Sequence, residues 1–134
     1  MAGHSGTSLP RRLGIADGSR VALIKAPDGF ADVLNPLPDG ARLVTAARGP
    51  QDVVLFFVIR SAELQRRFGP LARAVAPAGG LWIAWPKRTA GVATDLNEAI
   101  VRGLGLSSGL VDNKVCAIDE AWSGLRFVYR RDDR

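Results

Sequence analysis

The sequence predicts a three-layer α/β fold: a Rossmann-like mixed sheet, mostly parallel, with a C-terminal antiparallel hairpin. Three observations predict it. Asp52-Val53-Val54-Leu55-Phe56-Phe57-Val58-Ile59 and Leu81-Trp82-Ile83-Ala84-Trp85 are continuous apolar runs, as strands covered on both faces require. Between them Leu64, Phe68, Leu71, Ala72 and Val75 recur at helical spacing, with Gln65, Arg66, Arg67 and Arg73 opposite; strand, helix and strand make one βαβ unit. From Leu110 onward, β-branched and aromatic residues flank a polar turn, Asp119 to Gly124, the pattern of a hairpin.

The remaining elements follow in order. Met1 to Leu9 is small, polar and rich in Gly and Ser, and reads as a flexible tail preceding a single Rossmann-like domain over residues 10–134. Pro10 to Ile15 can form one helical turn with Leu9, Leu13 and Ile15 inward. Asp17-Gly18 is a turn that launches the strand Val21 to Ile24. A loop, Lys25 to Phe30, leads to a brief helix ended by Asn35-Pro36, because proline cannot continue a helix. Leu43-Val44-Thr45 is the next strand. The few residues between it and Asp52 leave no room for a covering helix, so it either pairs antiparallel or the chain returns bare across the sheet. Ser61 is a natural N-cap for the central helix, with Glu63 favouring its dipole. Gly69-Pro70 predicts a kink or two short helices, and Pro77 with Gly79-Gly80 a turn into the next strand. Thr94 or Asp95 is expected to cap a helix from Leu96 to about Leu104.

Composition removes several classes of chemistry. The 134 residues contain one cysteine, Cys116, and one histidine, His4, too few for a Cys/His zinc site, a Ser-His triad or a Cys-His pair. No run approaches the ~18 apolar residues of a membrane span, and the start has no apolar signal region, so a cytoplasmic protein is expected. The net charge of +5 permits a nucleic-acid or acidic partner, but the arginines are scattered, as on a solvated surface.

Beyond the pattern lies a resemblance. The βαβ unit with its Gly-Gly turn, the following helix and the terminal hairpin are similar to the C-terminal half of the S-adenosylmethionine-dependent methyltransferase fold, in shortened form. Leu81-Trp82-Ile83-Ala84-Trp85-Pro86-Lys87, Thr94-Asp95-Leu96, Gly109 to Glu120 and Trp122 to Phe127 resemble the bacterial domain-of-unknown-function family numbered three thousand and fifty-two. The methyltransferase resemblance implies a Gly-rich loop after the first strand and an acid ending the second, which hold the cofactor. Here the first loop offers Gly29 alone, and Thr45-Ala46-Ala47-Arg48 follow the second strand. No bound cofactor is therefore expected, and a close-fitting S-adenosylmethionine site, while possible, is poorly supported by these loops.

Ligands of open α/β sheets bind beyond the carboxyl ends of the strands. The candidates there are Lys25, Asp28, Gly29, Ser61, Trp85 and Lys87, which could hold a small anion such as phosphate or carboxylate, or could be turn and solvated residues. Asp95 and Asp112 are further polar candidates. Asp112, Lys114 and Cys116 alternate, which puts them on one face of their strand, and the Asp and Lys could pair to seat a helix end. Trp82 and Trp85 face opposite sides, the first toward the core and the second as a pocket wall. No metal site is expected, since Asp119-Glu120 lacks a spaced carboxylate set.

The expectation leans away from an enzyme, toward a non-catalytic module binding a small anionic ligand or a protein partner. The alternative is an enzyme acting on a nucleotide-like or methyl-donor substrate, and a third reading is a basic nucleic-acid-associated protein.

Overall fold

A computed structural model describes residues 7–134; the expected tail over residues 1–6 lies outside the described residues. The elements in chain order are α1 (Leu9–Arg12), β1 (Arg20–Ile24), α2 (Phe30–Val33), β2 (Arg42–Val44), β3 (Gln51–Phe57), α3 (Ser61–Arg73), β4 (Val75–Pro86), α4 (Glu98–Ser107), β5 (Val111–Ala117) and β6 (Trp122–Val128). Leu9, read from sequence as tail, opens α1 and is buried, with the Ser8 hydroxyl capping the turn.

The six strands lie in the order β2-β1-β3-β4-β6-β5. Neighbours among β2, β1, β3 and β4 are parallel, while β6 runs antiparallel to both β4 and β5. The fold is thus a mixed α/β sheet of the Rossmann, methyltransferase-like kind. Alternate residues feed two cores. Ala22, Ile24, Val54, Phe56, Leu81 and Ile83 meet Leu64, Phe68 and Leu71 of α3 and Val101 of α4 on one face. Val21, Leu23, Val53, Leu55, Phe57 and Trp82 meet Leu9, Leu13, Phe30 and Leu34 on the other, the face of α1 and α2. Each fully buried Leu or Phe contributes roughly 1.5–3 kcal/mol relative to exposure.

The chain does return bare from β2. Val44 is level with Ala22, and Val53 with Val21, so the path from Val44 to Gln51 falls about 10 Å and moves two strand spacings, about 10 Å, sideways. Six extended residues reach that far. Ala47, within this segment, packs on the α3 face. That is where a right-handed return must run, because the preceding crossover through α2 moves the other way across the opposite face.

Two expectations are corrected. Helix α3 is continuous through Pro70; Pro70 and Arg66 are both exposed, so the Arg66 carbonyl that proline leaves unpaired faces water. Gly79-Gly80 does not turn the chain but lies within β4, beside a register irregularity. A Cβ on Gly79 would stand 2.5 Å from the Asp52 carbonyl oxygen, and one on Gly80 would meet the Arg126 guanidinium. Glycine is needed there for close approach of neighbours.

Candidate functional site

The strand order reverses direction at β1. From β1 the chain leaves toward α2 on one face, and from neighbouring β3 toward α3 on the other. The two exits diverge to opposite faces, and in open α/β sheets ligands usually bind in the crevice outside the carboxyl edge at such a point. Lys25 stands at its mouth in the left-handed region, φ 61°, a conformation that costs a non-glycine residue roughly 1–2 kcal/mol. Its ammonium reaches to 3.7 Å from the Glu63 carboxylate in the first turn of α3. Arg67 lies 4.0 Å from the same carboxylate, with its guanidinium 5.3 Å from the centre of the Phe56 ring. Glu63, with a side chain only 20% exposed, is thus held between two cations. Gly29, φ 81°, opens α2, and Asp28 beside it is exposed.

Ser61 and Asp95 are brought together, though with roles other than expected. The Ser61 backbone N–H donates to Asp95 Oδ1 at 2.8 Å and its hydroxyl to Oδ2 at 3.0 Å. Asp95 therefore caps α3, while Asn97 caps α4 by accepting from the Ile100 N–H. Thr94 fixes the approach by donating to the Ile59 carbonyl at 2.6 Å. The Ser61 backbone hydrogen bond, then its hydroxyl, hold the Asp95 carboxyl below the usual carboxylate range. A lowered folded pKa gives stability that is full above the unfolded value of about 3.9 and is lost as pH falls through the folded value. Asp95→Ala is expected to lower the melting temperature by a constant amount from pH 5 to 8, with the gap to wild type closing below pH 4. A gap that persists at pH 2 would contradict the capping role.

Trp85 does not line a pocket at this edge; it is buried in the α3-face core, with Trp82 on the other side. Lys87 is half-buried just after β4, its backbone N–H donating to the Ala121 carbonyl at 2.8 Å. Asp112 lies apart from the edge. A bulge between Asp112 and Lys114 turns Asp112 toward α4, where it accepts from Arg102 Nε at 2.8 Å, and that bond holds its carboxyl below the usual range. Lys114 and Cys116 stay on the α1 face, with Lys114 donating to the Arg12 carbonyl at 2.7 Å. The shared face expected from alternation is therefore broken by one extra residue. The Asp119 carboxylate is taken up by the hairpin turn, accepting from the Ala121 and Trp122 N–H groups. Among the described residues no group of three or more His, Cys, Asp or Glu could hold a metal ion, and no helix is long and apolar enough to cross a membrane.

No protein-family model matches the sequence, and no curated protein does; the resemblance to the numbered family rests on its motifs alone. Solved structures do match in fold. An O-methyltransferase from neocarzinostatin biosynthesis, in complex with S-adenosylmethionine and 2-hydroxy-5-methyl naphthoic acid, aligns at a TM-score of 0.65 with 10% identity, over 89% of this chain and 50% of that one. Magnesium protoporphyrin IX methyltransferase from Synechocystis PCC 6803, with bound S-adenosylmethionine, aligns at 0.58 with 13% identity, over 91% and 74%. An O-methyltransferase family protein from Burkholderia thailandensis aligns at 0.57 with 14% identity, over 83% and 51%. The chain thus spans about half the length of the O-methyltransferases and about three quarters of the porphyrin enzyme.

These likenesses correct the expectation that leaned away from an enzyme. The architecture is shared with methyltransferases, two of the three with S-adenosylmethionine bound, which favours the alternative over the non-catalytic reading. The chain's own residues fit such a donor in part. Left-handed backbone at Lys25 and Gly29 makes a turn at the end of β1, and nothing stands within 4 Å of where a Gly29 Cβ would be. After β2 there is no acid, but the crevice has a carboxylate in Glu63.

Proposed function

We propose that this chain is a shortened methyltransferase-type domain, an enzyme that binds a methyl donor or a related adenosyl compound at the crevice between β1 and β3. The observation that carries the reading is Lys25: a strained, left-handed residue at the topological switch point, tied across the crevice to Glu63. Strain of this kind persists where surrounding structure over-determines it, and such places cluster at ligand clamps and active sites. The fold shared with S-adenosylmethionine-bound enzymes supports the choice of ligand.

In this reading the Lys25-to-Gly29 turn lets backbone approach the ligand. Glu63 accepts hydrogen bonds from its ribose hydroxyls, the task for which the end of β2 has no acid. Lys25 and Arg67 keep that carboxylate aimed. S-adenosylmethionine, when bound, supplies an electrophilic methyl group on a sulfonium.

Thermal melting with S-adenosylmethionine, S-adenosylhomocysteine and ATP is the test. A ligand at a hundred times its Kd stabilises the folded state by about 2.7 kcal/mol. The adenosyl compounds are expected to raise the melting temperature of the wild type, and Glu63→Gln to weaken the response about tenfold in apparent affinity, as loss of a charge-assisted hydrogen bond does. If none of the three compounds shifts the melt, the proposal fails.

A further inference from the structure

We propose that the cavity between α1 and β5, away from the crevice, is a binding site for a phosphate-class anion, inorganic phosphate or a phosphate monoester, held by Arg12 and Lys114. The cavity has a volume of about 400 Å³ and is lined by Thr7, Arg12, Lys114, Val115, Cys116 and Ala117. That is within the usual range of small-molecule sites.

The cations here are only partly used by the protein. Arg12 donates through one guanidinium nitrogen to the Ala117 carbonyl at 3.0 Å and the Cys116 sulfur at 3.2 Å, while its Nε–H is buried with no partner. Lys114 gives one of its three N–H groups to the Arg12 carbonyl. Opposite Lys114 on the neighbouring strand stands Arg126, its guanidinium lying over Gly80 of β4. Arg126 is half-buried, its Nε–H also buried and unpartnered. Burial, then the charge of Arg134, weakens its hold on its proton. Of three buried side-chain polar atoms without a partner among the described residues, two belong to these arginines.

Among the described residues, no carboxylate forms an ion pair with Arg12, Lys114 or Arg126. Elsewhere the chain pairs cations at close quarters, as at Arg102 with Glu98 and Asp112. Cations gathered without a counter-charge are costly when partly buried, as Arg12 is, and a bound dianion in the cavity supplies the missing charge. A planar guanidinium beside a mobile ammonium suits the tetrahedral oxygens of a phosphate group.

Calorimetric titration of the full chain with inorganic phosphate, and separately with ribose 5-phosphate, tests the proposal against chloride of matched ionic strength. Saturable one-site binding is expected, weakened about tenfold or more in Lys114→Gln, which removes the charge while keeping an N–H for the Arg12 carbonyl. Lys114 is exposed, so the variant should fold, and circular dichroism checks that it does. Arg88→Gln, in the turn after β4, should bind as the wild type does. Tighter binding of ribose 5-phosphate assigns an ester and equal binding assigns the free anion; either supports the site. Absence of saturable binding to both anions, or equal weakening by Arg88→Gln and Lys114→Gln, overturns it.

Discussion

Trp82→Ala is expected to destabilise the protein by about 3–5 kcal/mol, in the upper range for truncation of a buried aromatic residue. Trp82 is among the largest fully buried side chains, and its indole N–H donates to the Leu13 carbonyl at 2.9 Å in a buried setting. The side chain therefore fills the α1 face of the sheet and also anchors the end of α1. Alanine removes the packing, leaves a cavity and orphans the carbonyl. Trp82→Phe separates these effects: much of the volume stays, the hydrogen bond goes, and the expected loss is about 1–3 kcal/mol. Denaturant unfolding reads both as lower midpoints, with an unchanged slope if the unfolded state is unaffected. A domain of this kind has roughly 5–15 kcal/mol in total, so an unmoved midpoint for Trp82→Ala would contradict the packing described.

The role of Trp82 in the core was legible because strands buried on both faces leave a simple record. β3 and β4 read as unbroken apolar runs, and their odd and even positions assign faces directly, which places Trp82 and Trp85 on opposite sides. The direction of β2 was not legible. Three residues with one half-buried position carry too little pattern, and direction there is decided by how far six residues can reach. Nor was the start of β4 at Val75, because Gly79 and Gly80 look like a turn until the Asp52 carbonyl and Arg126 are seen against them.

The site was harder to read, for a related reason. Lys25, Asp28 and Gly29 were candidates because the ends of parallel strands are where ligands go. Their partner Glu63 was read only as a helix-dipole residue, since its tie to Lys25 spans 38 positions and follows from α3 lying across β1. Asp95 was assigned to the wrong helix because a cap is ordinarily local, and here the carboxylate comes from 34 residues away. Asp112 was placed on the wrong face by one bulged residue. Arg126 was not among the site candidates read from sequence; only register and burial show a half-buried cation opposite Lys114. The leaning away from an enzyme rested on missing motif residues, and the architecture shared with methyltransferases weighs against it.

Two glycines in α4 should respond to the same substitution with opposite signs. Gly103 is exposed, and nothing stands within 4 Å of where its Cβ would go. Gly103→Ala should therefore stabilise the protein by about 0.5–1 kcal/mol, the helix-propensity gain over glycine. Gly105 is buried, and its Cβ would overlap the ring of Phe127. That ring cannot swing aside, because it is fully buried and packs edge-on against Phe68, centroids 5.3 Å apart at 85°. Overpacking of this kind costs about 1–3 kcal/mol, which outweighs the propensity gain. Gly105→Val, with less propensity to gain and more bulk, should lose about 2–3 kcal/mol net. Combining Gly105→Ala with Phe127→Leu should then cost less than the two single changes added together, since each relieves the other. Strict additivity, or a stabilised Gly105→Ala, would show that α4 does not sit on Phe127 as closely as described.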